Sequence, residues 1–527
     1  MAYKNVCRLK LGLSFLILVF FSNCEGKNQS ANWYEDFKGI VQNGLLKQIA
    51  KGIIVEDSGN KVECVLDLKK WSEEITTKRW AFEMFDAGGR PPYGLLKGNI
   101  NSLGQYDECV AINHKREDSS RTIQGKYCLA RIPIPSGIIS TEGFSVKPNI
   151  HGVPNQRFMN MDAGGIIAFS LAICMPASCK SSDVDIVLKS IFNPYNISIS
   201  LPWEYCNTKD IIPWSAGDIT ALVIMIIIVC LLFGSTAYDL WFKTFNEDEA
   251  KTQSVLLTSF SMYTNSKRLI TLSKDPGPLA CVHGIRVLSL LWIIWGHRNG
   301  VSLIFPMDNN VELLEWTKTY GSTSLLSASL AVDTFFLLSG LLISYIFFRN
   351  PENKSLRDIP MFYLHRILRL TPALMMVALL QATLMARIGS GPLWKQFNWD
   401  MIDPCREYWW STLLYIQNYV NSDFMCLLHT WYLSIDMQLY ILSPILLFPL
   451  LKYNKFGLAW AVAWTVASQI TVFVICYQNA WYAAFMTSKD PNGGTRGNFY
   501  NGTFTRATPW LIGIIAGYLL RVCNLKE

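Results

Sequence analysis

Charge is what this sequence has least of. Only 17% of its 527 residues are charged, against 50% hydrophobic, a balance that agrees with a membrane protein that also has a soluble part. The two signs nearly match, with 47 Lys and Arg against 40 Asp and Glu for a net +7. That excess is spread along the chain, so it bears on which loops face the cytoplasm, and no nucleic-acid signature is present. None of the 14 cysteines forms a Cys-x-x-Cys pair, which argues against structural zinc, and no metal is assigned. From Glu25 to Asp218 the chain also lacks any apolar run long enough to span a bilayer, so a separate soluble-type domain is expected there.

What is present begins with residues 1–24. Lys4, Arg8 and Lys10 precede the apolar run Leu11 to Phe21, and polar Ser22-Asn23-Cys24-Glu25 follows at once. The run is too short for an anchor and reads as a secretory signal peptide, placing residues 25–218 outside the cell or in a lumen. Six cysteines lie in that part, Cys64, Cys109, Cys128, Cys174, Cys179 and Cys206. An oxidising compartment predicts three disulfides, with all fifteen pairings open. Asn28-Gln-Ser and Asn196-Ile-Ser are glycosylation sequons on the same side. Trp71 to Asp86 mixes Trp71, Ile75, Trp80 and Phe82 with charges, compatible with one amphipathic helix that Gly88-Gly89-Arg90-Pro91-Pro92 ends. The expectation is a small, disulfide-stapled, helix-rich domain with its core at 64–206.

The remainder reads as a multi-pass α-helical membrane protein of the plasma membrane or the secretory pathway. A first transmembrane helix is expected at 219–242, a basic cytosolic linker at 243–283, a membrane domain at 284–522 and a tail at 523–527. Within the membrane domain, spans are expected at Gly284 to Phe305, Ser322 to Phe348, Thr371 to Ala386, His429 to Leu451, Leu458 to Tyr477 and Pro509 to Leu520. Arg349 to Arg369 and Lys452 to Lys455 then mark the inner side. The outer region Ile388 to Leu428 holds a shallow segment at Trp409 to Tyr419. Cys405 and Cys426 fall there and could form a fourth disulfide. The sequon Asn501-Gly-Thr is outer, whereas Asn353-Lys-Ser is cytosolic and should stay unglycosylated.

The span at 284–305 carries the chemistry. Arg286 and His297 are eleven residues apart, about three helical turns, so they share one face roughly 16 Å apart, with Arg286 at one surface and His297 expected near the midplane. Ionisable groups at membrane depth are costly and usually functional. A neutral imidazole can remove the proton of a hydroxyl or amine as it attacks a thioester. Asp333 and Asp436 are expected at similar depth, and either could orient the imidazole. Arg366 and Arg369 share a face at the cytosolic end and, with Arg286, could hold phosphates. His429 is expected to be interfacial, and His114 and His151 to be solvated surface residues.

Two resemblances follow from particular motifs. Cys64-Val-Leu-Asp-Leu-Lys-Lys-Trp, Ala81 to Asn99, Gly104-Gln-Tyr-Asp-Glu-Cys and Gly125-Lys-Tyr-Cys resemble the extracellular domain of the nose-resistant-to-fluoxetine family. Arg286 with His297, Asp333-Thr-Phe-Phe-Leu-Leu-Ser-Gly, Arg366-Ile-Leu-Arg-Leu-Thr-Pro and Trp431-Tyr-Leu-Ser-Ile-Asp-Met-Gln resemble the membrane-bound acyltransferase type 3 family. The second resemblance implies Arg286 and His297 as the catalytic pair and Arg366 and Arg369 as a cytosolic-side arginine pair. It also implies acyl transfer from a cytosolic acyl-coenzyme A, used as substrate with no permanently bound cofactor, to a lipid or sugar acceptor among the membrane lipids and glycans. Fewer spans are present than that family's core normally has, so a C-terminally truncated form is expected and activity is open. The alternative is a lipid or drug transporter of epithelial membranes without transferase activity. A receptor-like role would need the cysteine-rich domain alone.

Overall fold

The protein was analysed as a computed structural model that describes residues 59–90, 93–116, 121–133, 168–192, 199–202, 205–209, 212–245, 254–271, 279–302, 306–349, 355–478 and 500–524. The signal peptide, Asn28, His151, Asn196 and Asn353 lie outside the described residues.

The N-terminal domain contains helices α1 (Gly59–Glu74), α2 (Arg79–Asp86), α3 (Tyr106–Ala111) and α4 (Ser181–Phe192). It also contains a sheet that the hydrophobic pattern did not announce. Strands β3 (Thr122–Pro133) and β4 (Ala168–Pro176) pair antiparallel from Gly125↔Pro176 to Pro133↔Ala168. Short strands β1 (Asn101–Ser102), β2 (Asn113–Lys115) and β5 (Cys206–Asn207) extend them in the order β1-β4-β3-β2, with β5 also on β3. Three disulfides tie this hairpin to everything around it: Cys64–Cys179 to α1, Cys109–Cys174 to α3 and Cys128–Cys206 to β5. Closing loops of 115, 65 and 78 residues removes unfolded-state entropy that a small core alone would struggle to offset. Tyr127 is fully buried, and burial pushes its phenol up, so it stays protonated and donates to the Leu103 carbonyl at 2.7 Å.

The single helix expected over Trp71 to Asp86 is two helices. The chain breaks at the β-branched pair Thr76-Thr77, where the Thr77 amide returns to the Glu74 carbonyl at 2.9 Å. Indoles bridge the break: Trp71 Nε1 donates to Ala81 O at 2.9 Å and Trp80 Nε1 to Glu74 Oε2 at 2.8 Å.

Helix α5 (Ala216–Phe245) leads away from this domain. The linker after it is ordered where described rather than a plain flexible connector: α6 (Val255–Thr258) and α7 (Met262–Ile270) fold back onto the inner end of α5. Next come α8 (Cys281–Ser302), α9 (Leu330–Phe347), α10 (Ile359–Ala382), α11 (Trp431–Lys452), α12 (Asn454–Gln478) and α13 (Thr503–Asn524). Among the described residues five helical stretches are long and apolar enough to cross a membrane, 216–245, 320–347, 356–382, 428–452 and 454–478. Helices α8 and α13 each have 22 residues, about 33 Å, and fall below that apolarity because they carry Arg286, His297 and Arg298 and Arg506 and Arg521.

Helix α10 corrects the expected cytosolic loop at 349–369. A capping box formed by Ser355 and Asp358 and a proline in the first turn start the helix ten residues before Arg369. Arg366 and Arg369 therefore stand on the spanning helix itself. In the outer region Cys405–Cys426 forms the fourth disulfide. Asn501 is 3% exposed, and its backbone carbonyl accepts from Asn418 Nδ2 at 3.0 Å. A glycan needs its asparagine amide at the surface, so Asn501 is withdrawn as a glycosylation site.

The tightest helix pair is α9 with α13. A Cβ on Gly340 would overlap the Trp510 carbonyl, one on Gly513 the Leu337 carbonyl and one on Gly517 the Leu341 carbonyl. Small residues here let two backbones approach within contact. Around that seam lie Phe336, Ile435, Leu447, Leu450, Trp510 and Ile514, all nearly or fully buried. Gly513→Val is expected to destabilise the protein by at least the roughly 1–3 kcal/mol typical of overpacking. Gly234→Val on α5, where nothing lies within 4 Å, should leave the thermal midpoint unchanged. Thermal unfolding of both variants in the same detergent checks this.

Candidate active site

Helix α8 presents Arg286 and His297 on one face, as their spacing requires. The helix is seated against 320–329 and α9: Trp292 Nε1 donates to Ser324 O at 2.8 Å, and Gly296 leaves room for the Ala328 methyl. Its polar face is directed elsewhere, toward α11. His297 lies within electrostatic reach of His429, which immediately precedes α11, and Arg286 within reach of the Tyr432 hydroxyl on it. No protein atoms bury either side chain, since both Arg286 and His297 are exposed.

His297 Nδ1 is 3.0 Å from the Ile293 carbonyl oxygen. A carbonyl only accepts, so Nδ1 carries a proton, and in the neutral imidazole the lone pair is on Nε2. The imidazole is thus oriented by its own helix rather than by a carboxylate. Its depth also differs from the expectation. His297 is five residues from the outer end of α8 and Arg286 five from the inner end, about 7.5 Å in each case. The imidazole belongs to the outer part of the helix, beside His429, and not to its middle.

Asp333 and Asp436 do not orient the imidazole, because each is already paired with an arginine. Asp436 Oδ2 forms an ion pair with Arg366, its Oδ1 accepts from Ser339 Oγ at 2.6 Å, and the Arg366 guanidinium lies 4.2 Å over the Tyr440 ring. Asp333 receives Arg506 Nη1 at 3.1 and 3.2 Å, and Arg506 lies 4.1 Å over Tyr500. The spacing of Arg366 and Arg369 promised a shared face, yet Arg366 turns inward to Asp436 while Arg369 stays exposed. Arg286 and Arg369 form no hydrogen bond or ion pair with the described residues. Both are open to an anionic ligand.

Ser339, Tyr432 and Arg506 belong to this polar layer and were not read from the sequence. Ser339 and Tyr432 sit unmarked in motifs chosen for other residues. Arg506 lies just before the last expected span, and an unmatched Asp333 in an apolar span was the signal that some cation must meet it.

A buried ion pair is costly to break by halves. Arg366→Met or Asp436→Leu alone is expected to cost about 3–5 kcal/mol, and the double variant should recover most of it. Thermal unfolding of the three variants in detergent is the check.

Comparison with known proteins agrees with this layout. Residues 64–188 match the nose resistant-to-fluoxetine protein N-terminal domain, and residues 279–526 match the acyltransferase domain of the type 3 family. Nose resistant to fluoxetine protein 6 of Caenorhabditis elegans is 28% identical over 520 residues, covering 90% of this chain and 62% of that protein. Regulator of hypoxia-inducible factor 1 of the same organism is 25% identical over 288 residues, covering 50% of this chain and 55% of its own length. A Staphylococcus aureus protein, provisionally named an O-acetyltransferase, is 26% identical over 205 residues, covering 38% of this chain and 31% of its own. The chain thus spans less than two thirds of the length of each of these relatives. No solved structure matches. The chain is an integral membrane protein in which a disulfide-stapled domain similar to the N-terminal domain of nose resistant-to-fluoxetine proteins precedes a membrane domain similar to the type 3 acyltransferase domain.

Proposed function

We propose that this protein transfers an acyl group from a coenzyme A thioester on the cytosolic side to a hydroxyl of a lipid or sugar, with His297 as general base. The membrane concerned is the plasma membrane or one of the secretory pathway. The observation that carries the reading is the commitment of His297 Nδ1 to the Ile293 carbonyl, which makes Nε2 the basic nitrogen of the neutral ring, on the face shared with the unpaired Arg286. The provisional O-acetyltransferase name of the Staphylococcus aureus relative supports oxygen as the acceptor atom.

Nε2 takes the acceptor's hydroxyl proton as its oxygen attacks the thioester carbonyl. The carbon–sulfur bond then breaks, and the coenzyme A thiolate leaves with the proton that the imidazolium returns. Arg286 and Arg369 hold the phosphates of a donor that cannot itself cross. The separation of Arg286 from His297, eleven residues along α8 and roughly 16 Å, suits a ligand whose phosphates and reactive carbonyl are far apart. The acceptor reaches the imidazole from the outer side, where His297 is nearest the surface. Residues 243–283 face the cytosol, and Asn28 and Asn196 carry the glycans.

Arg366 and Asp436 take no part in proton transfer in this scheme. They hold α9, α10 and α11 in register beneath Tyr432. In a detergent-solubilised, active preparation, His297→Ala should lower transfer by roughly 10²- to 10⁴-fold while coenzyme A binding is kept. Arg286→Ala or Arg369→Ala should weaken binding first. Binding of labelled coenzyme A and transfer of labelled acetyl, measured on the same samples, separate the two effects. Wild-type turnover in His297→Ala would end the proposal.

A further inference from the structure

The segment between the first membrane helix and α8 has a job of its own. Residues 254–271 turn back along the inner end of α5, held by a polar lock around a carboxylate that is completely buried. Asp239 pairs with Lys243 at 2.7 Å and accepts from Ser261 Oγ at 2.6 Å and Thr264 Oγ1 at 2.5 Å. Ser235 Oγ donates to the Leu257 carbonyl at 2.6 Å, and Thr236 Oγ1 accepts from the Met262 amide at 3.0 Å. A buried charge satisfied by three groups fixes the position of α6 and α7 relative to α5.

That position can be read as a depth. Ser235 is nineteen residues beyond Ala216, where α5 begins, or roughly 28 Å along the helix, close to the thickness of the hydrocarbon core. Tyr238, Trp241, Phe242 and Phe245 follow directly, tilted against one another in pairs, and aromatic residues of this kind collect at the membrane–water boundary. Leu257, bonded to Ser235, is therefore held at the inner face of the core. The segment turns its apolar side chains outward: Val255 is 83% exposed, Leu256 78%, Leu269 88% and Ile270 77%. Lys267 and Arg268 stand beside the last two, both exposed.

We propose that residues 254–271 form an interfacial anchor lying on the cytoplasmic leaflet. Val255, Leu256, Leu269 and Ile270 enter the boundary between headgroups and acyl chains. Lys267 and Arg268 extend to the lipid phosphates. The occupant of this apolar face is phospholipid, because the Asp239 lock places it where headgroups are. The inference depends on α5 crossing the membrane and is independent of the transferase reading.

The test uses the full chain with Cys7, Cys24, Cys230, Cys281, Cys476 and Cys523 replaced by alanine and the four disulfides kept. A single cysteine is placed at Leu256, at Leu269 or, as a water-exposed reference, at Thr77. Each is labelled with an environment-sensitive nitrobenzoxadiazole dye and reconstituted into phosphatidylcholine nanodiscs with or without a shallow spin-labelled lipid. Blue-shifted emission quenched by the spin-labelled lipid at 256 and 269, but not at 77, is the expected result. Water-like, unquenched emission at 256 and 269 would overturn the anchor. Blue-shifted emission that the lipid does not quench would overturn it as well, because protein and not lipid would then cover the face.

Discussion

Electrical neutrality inside the bundle is the constraint on which the rest of the membrane domain depends. A charge surrounded by apolar side chains and lipid costs several kcal/mol unless it is matched, and this chain carries several on helices that are otherwise apolar. It matches them across helices rather than along one. Arg366 on α10 meets Asp436 on α11 and, through it, Ser339 on α9, while Arg506 on α13 meets Asp333 on α9. Helix α9 is the common partner, and it is also the helix against which α13 packs with glycine at the contacts. Close backbone approach and charge pairing specify the same neighbours.

Once these pairs are made, what remains uncompensated is informative. Arg286 and Arg369 have no counter-ion among the described residues, and His297 has a free Nε2. A site for an anionic, acyl-bearing substrate needs cations that the protein has not already neutralised and a base whose lone pair is not already used. The N-terminal domain rests over the outer ends of the same helices. Asn310 Nδ2 donates to the Gly98 carbonyl at 2.9 Å just beyond α8, Lys395 Nζ to the Cys206 carbonyl at 2.9 Å, and Leu393 packs beside Tyr106 and Tyr127. Arg387, beyond the outer end of α10, grips the entry to α5 through the Ile212 and Pro213 carbonyls and Asp218, each at 2.6 Å, with Trp214 beneath its guanidinium. The stapled domain is thus fastened to both the helix that carries His297 and the helix that carries Arg369.

Much of this was legible beforehand where a single residue type has one physical consequence. Apolar length marked most of the spanning helices, and the eleven-residue step placed Arg286 and His297 on one face. An even number of cysteines in an exported domain announced disulfides, though not which of the fifteen pairings. The partners of Asp333 and Asp436 were not legible, because a carboxylate at depth demands a cation without saying which one, and Arg366 and Arg506 lie 70 and 173 residues away in sequence. The start of α10 was misplaced because arginines near an apolar run were read as loop, whereas the Ser355 and Asp358 capping box was the stronger signal. The long β3–β4 pair was missed because β3 reads Gln124-Gly125-Lys126-Tyr127-Cys128, a mixed pattern that periodicity does not distinguish from loop.

The central claim is that the uncompensated groups on α8 consume a thioester. Its most direct measurement is the release of free coenzyme A thiol when the purified chain, reconstituted in lipid, is given labelled acetyl-coenzyme A. One thiol should be released for each label found in lipid or sugar ester linkage, with both abolished together in His297→Ala. Movement of labelled lipid across the bilayer with no thiol released, and unaffected by His297→Ala, would contradict it.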